Sequence, residues 1–153
     1  MIVQYSKTRQ NVRTPERANP SDAGLDVFYS PPDNEVAGKW LTPGSSGLFS
    51  TGLKFGIPHG YMIEVKNRSG MAARRSLVVG ACVVDSGYTG EVFVNLHNIG
   101  KESQFIQPGE KIAQLVMTPV VHFNAQESSF EELYAEAITI SDRGTGALGS
   151  TDG

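Results

Sequence analysis

Cysteine is nearly absent. Cys82 stands alone among 153 residues, so no internal disulfide can staple the fold, which fits a reducing compartment. Long apolar runs are missing too. No stretch is long enough to span a bilayer, and Met1 to Gln10 lacks the apolar core of a signal peptide, so a soluble cytoplasmic protein is expected. There is no excess of positive charge: 13 Lys and Arg face 16 Asp and Glu, for a formal net charge of -3. Nucleic acids and membrane surfaces select basic faces, so neither partner is expected. His59, His97 and His122 show no metal-ligand spacing with one another or with Cys82, which argues against a zinc site. No internal repeat is visible, and no Ser-His-Asp set follows from spacing.

What remains is an ordinary globular composition, 39% hydrophobic and 19% charged, with length for one domain and a sizeable core. Short β-type runs recur between glycine and proline breaks. They are predicted at Met1 to Tyr5, Leu25 to Tyr29, Leu48 to Ile57 (interrupted by Gly52), Tyr61 to Lys66, Leu77 to Val84, Glu91 to Asn98, Lys111 to Met117 and Pro119 to Phe123. In the run from Glu91, Val92, Val94 and Leu96 fall on one face, and Phe93, Asn95 and His97 on the other. Asp85 to Gly90 reads as the hairpin connection before it. Such a pattern predicts an all-β sandwich or barrel. One helix is expected where Phe130, Leu133, Tyr134 and Ala137 fall at helical spacing behind a Ser129/Glu132 capping box, packed on the sheet. The tail from Arg143 has glycines at 144, 146, 149 and 153 and is expected to stay mobile until a ligand orders it. The chain thus divides into a β domain, 1–142, and a glycine-rich lid, 143–153.

Five segments carry candidate chemistry. Gly144 to Gly149 matches G-x-G-x-x-G, but the chain ends four residues later, which leaves no helix for a dinucleotide fingerprint. Its open amides, Arg143, Ser150 and Thr151 suit a polyphosphate, or they form a solvated tail. Arg68-Ser-Gly-Met-Ala72 offers a guanidinium and close backbone donors for phosphate, or is a basic turn; Arg74 and Arg75 behind it carry no motif. In Val84-Asp85-Ser-Gly-Tyr88, a carboxylate ending an apolar strand can orient and deprotonate a water, and the tyrosine offers a flat face to a sugar or base. Alternatively they are a turn aspartate and a packing aromatic. Asp22-Ala-Gly-Leu-Asp26 and Gly109-Glu-Lys-Ile-Ala-Gln-Leu115 are weak signals individually.

Together and in order, Ala23-Gly-Leu-Asp26, Arg68 to Ala72, Val84 to Gly90, Gly109 to Leu115 and Arg143 to Thr151 resemble the five motifs of the trimeric dUTP pyrophosphatase (dUTPase) family. The resemblance implies a jelly-roll-like distorted barrel, the dUTPase-like β-clip, assembled as a homotrimer with shared active sites. It implies Mg²⁺-dependent hydrolysis of dUTP to dUMP and pyrophosphate, which limits uracil incorporation into DNA and supplies dUMP for dTMP synthesis. By position, Asp85 would activate the water. Arg68, Ser69, Gly70 and Gln114 would hold the phosphates, with Arg143, Gly149, Ser150 and Thr151 closing over them. Tyr88 would stack under the sugar. Backbone groups from Gly80 to Val84, through Cys82 and Val83, would read the uracil, with Phe93 as a wall. Asp26 would reach the magnesium through water. The location implied is the cytoplasm or the nucleotide-synthesising compartment of a host cell.

Three positions depart from the family pattern. Leu148 stands where an aromatic usually stacks on uracil, Ala147 where glycine is usual, and Cys82 where glycine is common in the pocket hairpin. The stretch 126–139 is longer than usual and is a possible contact for another protein. Two rival readings share these motifs: a dCTP deaminase-type enzyme, and a non-catalytic dUTP-sensing regulator.

Overall fold

The computed structural model describes residues 1–33 and 37–148. It comprises two compact units, Met1–Val121 and His122–Gly153.

The first unit is built from antiparallel β-structure. β1 (Tyr5–Lys7) pairs with β5 (Leu53–Phe55), and β3 (Lys39–Leu41) with β10 (Gln104–Ile106). A four-stranded sheet runs in the order β2 (Leu25–Phe28), β11 (Lys111–Pro119), β6 (Tyr61–Lys66), β8 (Val83–Val84). A three-stranded sheet runs β4 (Ser46–Ser50), β9 (Phe93–Asn98), β7 (Leu77–Val79). The expected alternation around β9 holds: Val92, Val94 and Leu96 are buried, whereas Phe93 is exposed and Asn95 and His97 are half-buried. Their buried face joins Tyr29, Phe49, Leu53, Ile63, Val65 and Ile112 in one core. Removing that much apolar surface from water is the main drive for folding. The architecture agrees with the all-β, jelly-roll-like expectation.

Several boundaries differ from those read in the sequence. The first run pairs later, at Tyr5–Lys7. The valine-rich run Leu77 to Val84 is not one strand; it splits between the two larger sheets as β7 and β8. The Asp85 to Gly90 connection is therefore not flanked by a directly paired hairpin, since β9 pairs with β7 and not with β8. Pro119 to Phe123 adds no strand of its own; β11 simply continues through Pro119. The segment after Arg68 is a helix, α1 (Ser69–Arg75), with Met71 as its one buried residue.

The second unit contains α2 (Phe130–Leu133), with the Ser129/Glu132 capping box in place: Ser129 Oγ accepts from Glu132 N at 3.2 Å and Glu132 Oε2 accepts from Ser129 N at 3.4 Å. The helix is one turn, shorter than its periodicity predicts. None of its residues is buried within the structure described. Four residues cannot recover the cost of helix nucleation by propensity alone, which makes the capping box the main local stabiliser. No helix among the described residues is long and apolar enough to cross a membrane.

Candidate active site

The first cleft exists because one strand changes sheets. β7 follows β9 as far as the Val79–Leu96 pair, and Gly80 N–H still donates to Asn95 O at 2.9 Å. The chain then leaves β9. Cys82 O accepts from Val65 N at 2.7 Å, and β8 completes its pairing on β6. A cleft of about 250 Å³ opens where 81–85 and 91–95 separate, lined also by Leu48 and Val65. Gly80 marks the divergence. A Cβ there would lie inside van der Waals contact of both Asn95 Oδ1 and His97 Nε2.

A tight turn sets the cleft's mouth. Tyr88 N–H donates to Asp85 O at 3.2 Å, with Gly87 at φ +87°, which glycine adopts without steric penalty. Ser86 Oγ ties the turn to Ile57 O at 3.0 Å, and Tyr88 Oη donates to Glu91 O at 2.9 Å. The Asp85 carboxylate and the Tyr88 ring remain exposed and both line the cleft. Glu91 is consumed by structure: Oε1 accepts from Gly52 N at 2.8 Å and from the Ser50 hydroxyl, and Arg9 Nη1 lies 3.6 Å from Oε2.

The second cleft, also about 250 Å³, is lined by Ala18, Asp22, Ala23, Gly24, Asp26, Arg68, Ser69 and Gln114. Its framework is the β2–β11–β6 register, where Gln114 stands opposite both Asp26 and Lys66. Asp26 is buried, and a buried carboxylate must be paired. Arg68 Nε meets its Oδ1 at 2.9 Å and Lys111 Nζ its Oδ2 at 3.1 Å. Lys111 also reaches Glu16 at 2.8 Å. The hydrogen bond to Glu16, then that to Asp26, raises the Lys111 pKa above the usual lysine value. Gln114 Nε2 donates to Asn67 O at 2.9 Å. Gly24 lets the glutamine pass: a Cβ there would lie 2.6 Å from Gln114 Oε1. α1 begins beside this cleft with no side-chain cap, so its first amides are open to a ligand, and Gly70 has open space where a Cβ would be.

Of the residues singled out from sequence, Cys82, Val83, Val84, Asp85, Tyr88 and Phe93 line the first cleft. Asp26, Arg68, Ser69 and Gln114 line the second. Gly80 flanks the first, and Gly70 follows Ser69 on α1. The two clefts share no lining residue. Arg143 and Leu148 belong to the second unit. Arg143 closes a turn there, its Nε donating to Gly146 O at 3.0 Å, and Leu148 is exposed at φ +49°. Gly149, Ser150 and Thr151 lie outside the described residues.

Sequence reasoning missed three contributors. Asn95 lines the first cleft through its side chain. Asn67 links the clefts, since its Oδ1 accepts from Val79 N at 2.7 Å while its carbonyl holds Gln114. Arg75 fixes α1 to the turn before β11, with Nε on Gln104 Oε1 at 2.8 Å, Nη2 on Phe105 O at 2.7 Å and an ion pair to Glu110. Polar residues on the solvent side of a strand or a short helix carry no periodic signal, so only the structure exposes them.

The family model for dUTPase matches residues 10–151. The chain belongs to the dUTPase family. A deoxyuridine 5'-triphosphate nucleotidohydrolase of Roseobacter denitrificans is 39% identical over 133 residues, covering 86% of this chain and 81% of that protein. The Chlamydia trachomatis protein of the same name is 36% identical over 149 residues, 96% of each. Among solved structures, the Staphylococcus bacteriophage 80alpha dUTPase with dUPNHPP superposes with a TM-score of 0.81 at 26% identity, covering 97% of each chain. The dUTPase of phage phi11 of S. aureus, described for its species-specific insert, gives 0.75 at 25% identity, covering 86% of this chain and 99% of that one. A phi11 dUTPase mutant is described for the coordination of a structural Mg(II) ion, with a TM-score of 0.74 at 25% identity and the same coverage. These likenesses agree with the dUTPase-like β-clip read from the motifs.

Proposed function

We propose that this chain hydrolyses dUTP to dUMP and pyrophosphate. The observation that carries the reading is the first cleft: a narrow pocket with a carboxylate and a flat aromatic face at one tight turn. The base enters between 81–85 and 91–95, and Tyr88 packs against the deoxyribose. The exposed Asp85 carboxylate accepts a proton from a water. That oxygen forms a bond to the α-phosphorus while the bond to the bridging oxygen breaks, and pyrophosphate leaves. The proton rests on Asp85 until solvent takes it.

The triphosphate needs cationic and hydrogen-bond donors, and the second cleft offers Arg68 among its lining residues. Arg68 uses Nε on Asp26, which leaves its terminal nitrogens for phosphate oxygens. Ser69, Gly70 and Gln114 add donors. In the homotrimer with shared sites that the family motifs imply, one copy's phosphate cleft would serve the base cleft of another. For Arg143, Ser150 and Thr151 a role at the terminal phosphate, and for Leu148 a role at the base, rest on the motif resemblance alone.

Among the described residues no group of three His, Cys, Asp or Glu stands ready to hold a metal, so a dedicated protein cage does not fit. A magnesium ion carried by the triphosphate does. Such ions keep several waters and take few protein ligands. Asp26 fits a water-mediated role, because a carboxylate has about four acceptor sites and Arg68 and Lys111 occupy two. When bound, magnesium neutralises charge on the phosphates. The protein's own groups do the rest: Arg68 and Gln114 orient, Asp85 moves the proton.

The deciding assay follows pyrophosphate and ammonia with dUTP and dCTP as substrates and magnesium present. Pyrophosphate from dUTP is expected. Ammonia from dCTP would assign a deaminase, and tight dUTP binding with neither product would assign a regulator.

A further inference from the structure

We infer that Asn95, held by His97, is the positioning residue that sets the base cleft's width and thereby its selectivity for uracil; this rests on the dUTP reading above. Asn95 is the residue at which β7 parts from β9. Its backbone carbonyl takes the last regular bond, from Gly80 N at 2.9 Å. The next amide, that of Ala81, has no backbone partner on β9. It donates instead to the Asn95 side chain, Oδ1, at 3.1 Å. A side chain therefore continues the ladder one step past the point where the main chain diverges, and it does so from within the cleft lining.

Two further contacts fix that carboxamide. His97 Nε2 lies 2.9 Å from the same Oδ1, and Asn95 Nδ2 donates to Gly47 O at 3.3 Å on β4. The orientation follows from donor chemistry. Nδ2 cannot face the Ala81 N–H, because both are donors, so Oδ1 must face it. His97 Nε2 must then carry a proton. The neutral Nε2–H tautomer and the imidazolium both satisfy that demand, so the arrangement survives either charge state of His97. Gly80 completes the set. Its missing Cβ makes room for Asn95 Oδ1 and His97 Nε2 together.

The consequence is geometric. Residues 81–84 form one wall of the cleft and leave β9 at an angle fixed by the Ala81 bond. A wall built of main chain selects a base by fit, and a mismatch of donors and acceptors is penalised only while that wall stays in place. With a slack wall, cytosine is tolerated. Asn95 acts on the base through Ala81, and His97 acts through Asn95.

The test compares steady-state kinetics with dUTP and dCTP for the full chain and for Asn95→Val, His97→Leu and His97→Gln, with thermal melting of each. Asn95→Val removes the acceptor for Ala81 N–H together with the donor to Gly47 O. It is expected to raise KM for dUTP about 10-fold, with a much smaller change in kcat, and to shrink the preference over dCTP by a similar factor. His97→Leu, which removes no cleft atom, is expected to give about one third of that effect. His97→Gln, which restores a donor, is expected to recover selectivity. If Asn95→Val fails to fold, the two His97 variants decide alone. Unchanged selectivity in His97→Leu, or losses in kcat that follow melting temperature in every variant, would overturn the inference. If the unmodified chain releases no pyrophosphate from dUTP, the function proposed above fails instead, and the two failures are told apart.

Discussion

The two clefts of the first unit have similar volumes and opposite construction. The base cleft is a gap between main-chain segments, opened where one strand leaves its sheet. Its shape is held by backbone and amide hydrogen bonds around Gly80, Asn95 and Asp85. The second cleft carries charge: Asp26 and Arg68 line it as an ion pair, and Lys111 joins Asp26 to Glu16, so neither carboxylate is left alone. A neutral, flat base is selected by fit, whereas a polyanion is held by countercharge arranged in advance. One small domain thus carries two clefts of different construction, joined through Asn67, and separate substitutions can test each.

The largest effect that sharpens this contrast is expected at the mouth of the base cleft. Asp85→Asn removes the proton acceptor and keeps the volume, so turnover should fall by about 10³-fold, within the usual range for general-base removal. Binding of a non-hydrolysable dUTP analogue, read by calorimetry, should change little. Turnover within tenfold of the unmodified chain would show that Asp85 does not activate the water.

Next comes the charged cleft. Arg68→Gln removes a phosphate donor and also one of the two cations on buried Asp26. A charge-assisted hydrogen bond contributes about 1.5–3 kcal/mol, so KM for dUTP should rise roughly 10- to 100-fold with a lowered melting temperature. The dUTP-over-dCTP preference should stay intact. A change in that preference would break the division between the clefts.

A smaller effect is expected from Gly24→Ala, whose methyl would meet Gln114 Oε1 at 2.6 Å and push the glutamine off Asn67. Crowding of this kind costs about 1–3 kcal/mol. Melting should register it, with a modest rise in KM. An unchanged melting curve would mean the glutamine moves freely and is not clamped.

The smallest effect concerns alkaline pH. Lys111 is raised by Glu16 and Asp26, so its contribution is complete below the unfolded lysine pKa and is lost as pH rises from that value through the raised folded one. Stability should therefore show no Lys111-dependent change between pH 6 and pH 10, within the ordinary protonated range of lysine. Comparing melting of the unmodified chain and Lys111→Met across that range checks this. A gap that narrows before pH 10 would contradict the assigned direction.

Much of this was legible in the sequence, for physical reasons that also mark the limit. β2, β6, β9 and β11 bury one face or nearly all of their length, so apolar patterning reveals them. β3 and β10 are three-residue strands with one fully buried residue each, Leu41 and Ile106, too few for a period. α1 escaped because Met71 is its one buried residue and its N-cap makes no side-chain bond. The split of Leu77 to Val84 escaped because valines favour strand in either sheet, and which partner they choose is settled by tertiary packing. Asp85, Tyr88, Arg68 and Gln114 were singled out because five weak motifs occur in order. Asn95 and Asn67 were not, because an amide's role depends on what the fold brings within hydrogen-bond reach of it.

At position 80 the decisive group is hydrogen. The pocket's outline is written there by an omission. Two residues on, Cys82 carries a half-buried side chain at the same cleft. A methyl at residue 80, by contrast, would displace both Asn95 and His97 at once, so one of the smallest possible edits to this chain would remodel its most selective surface.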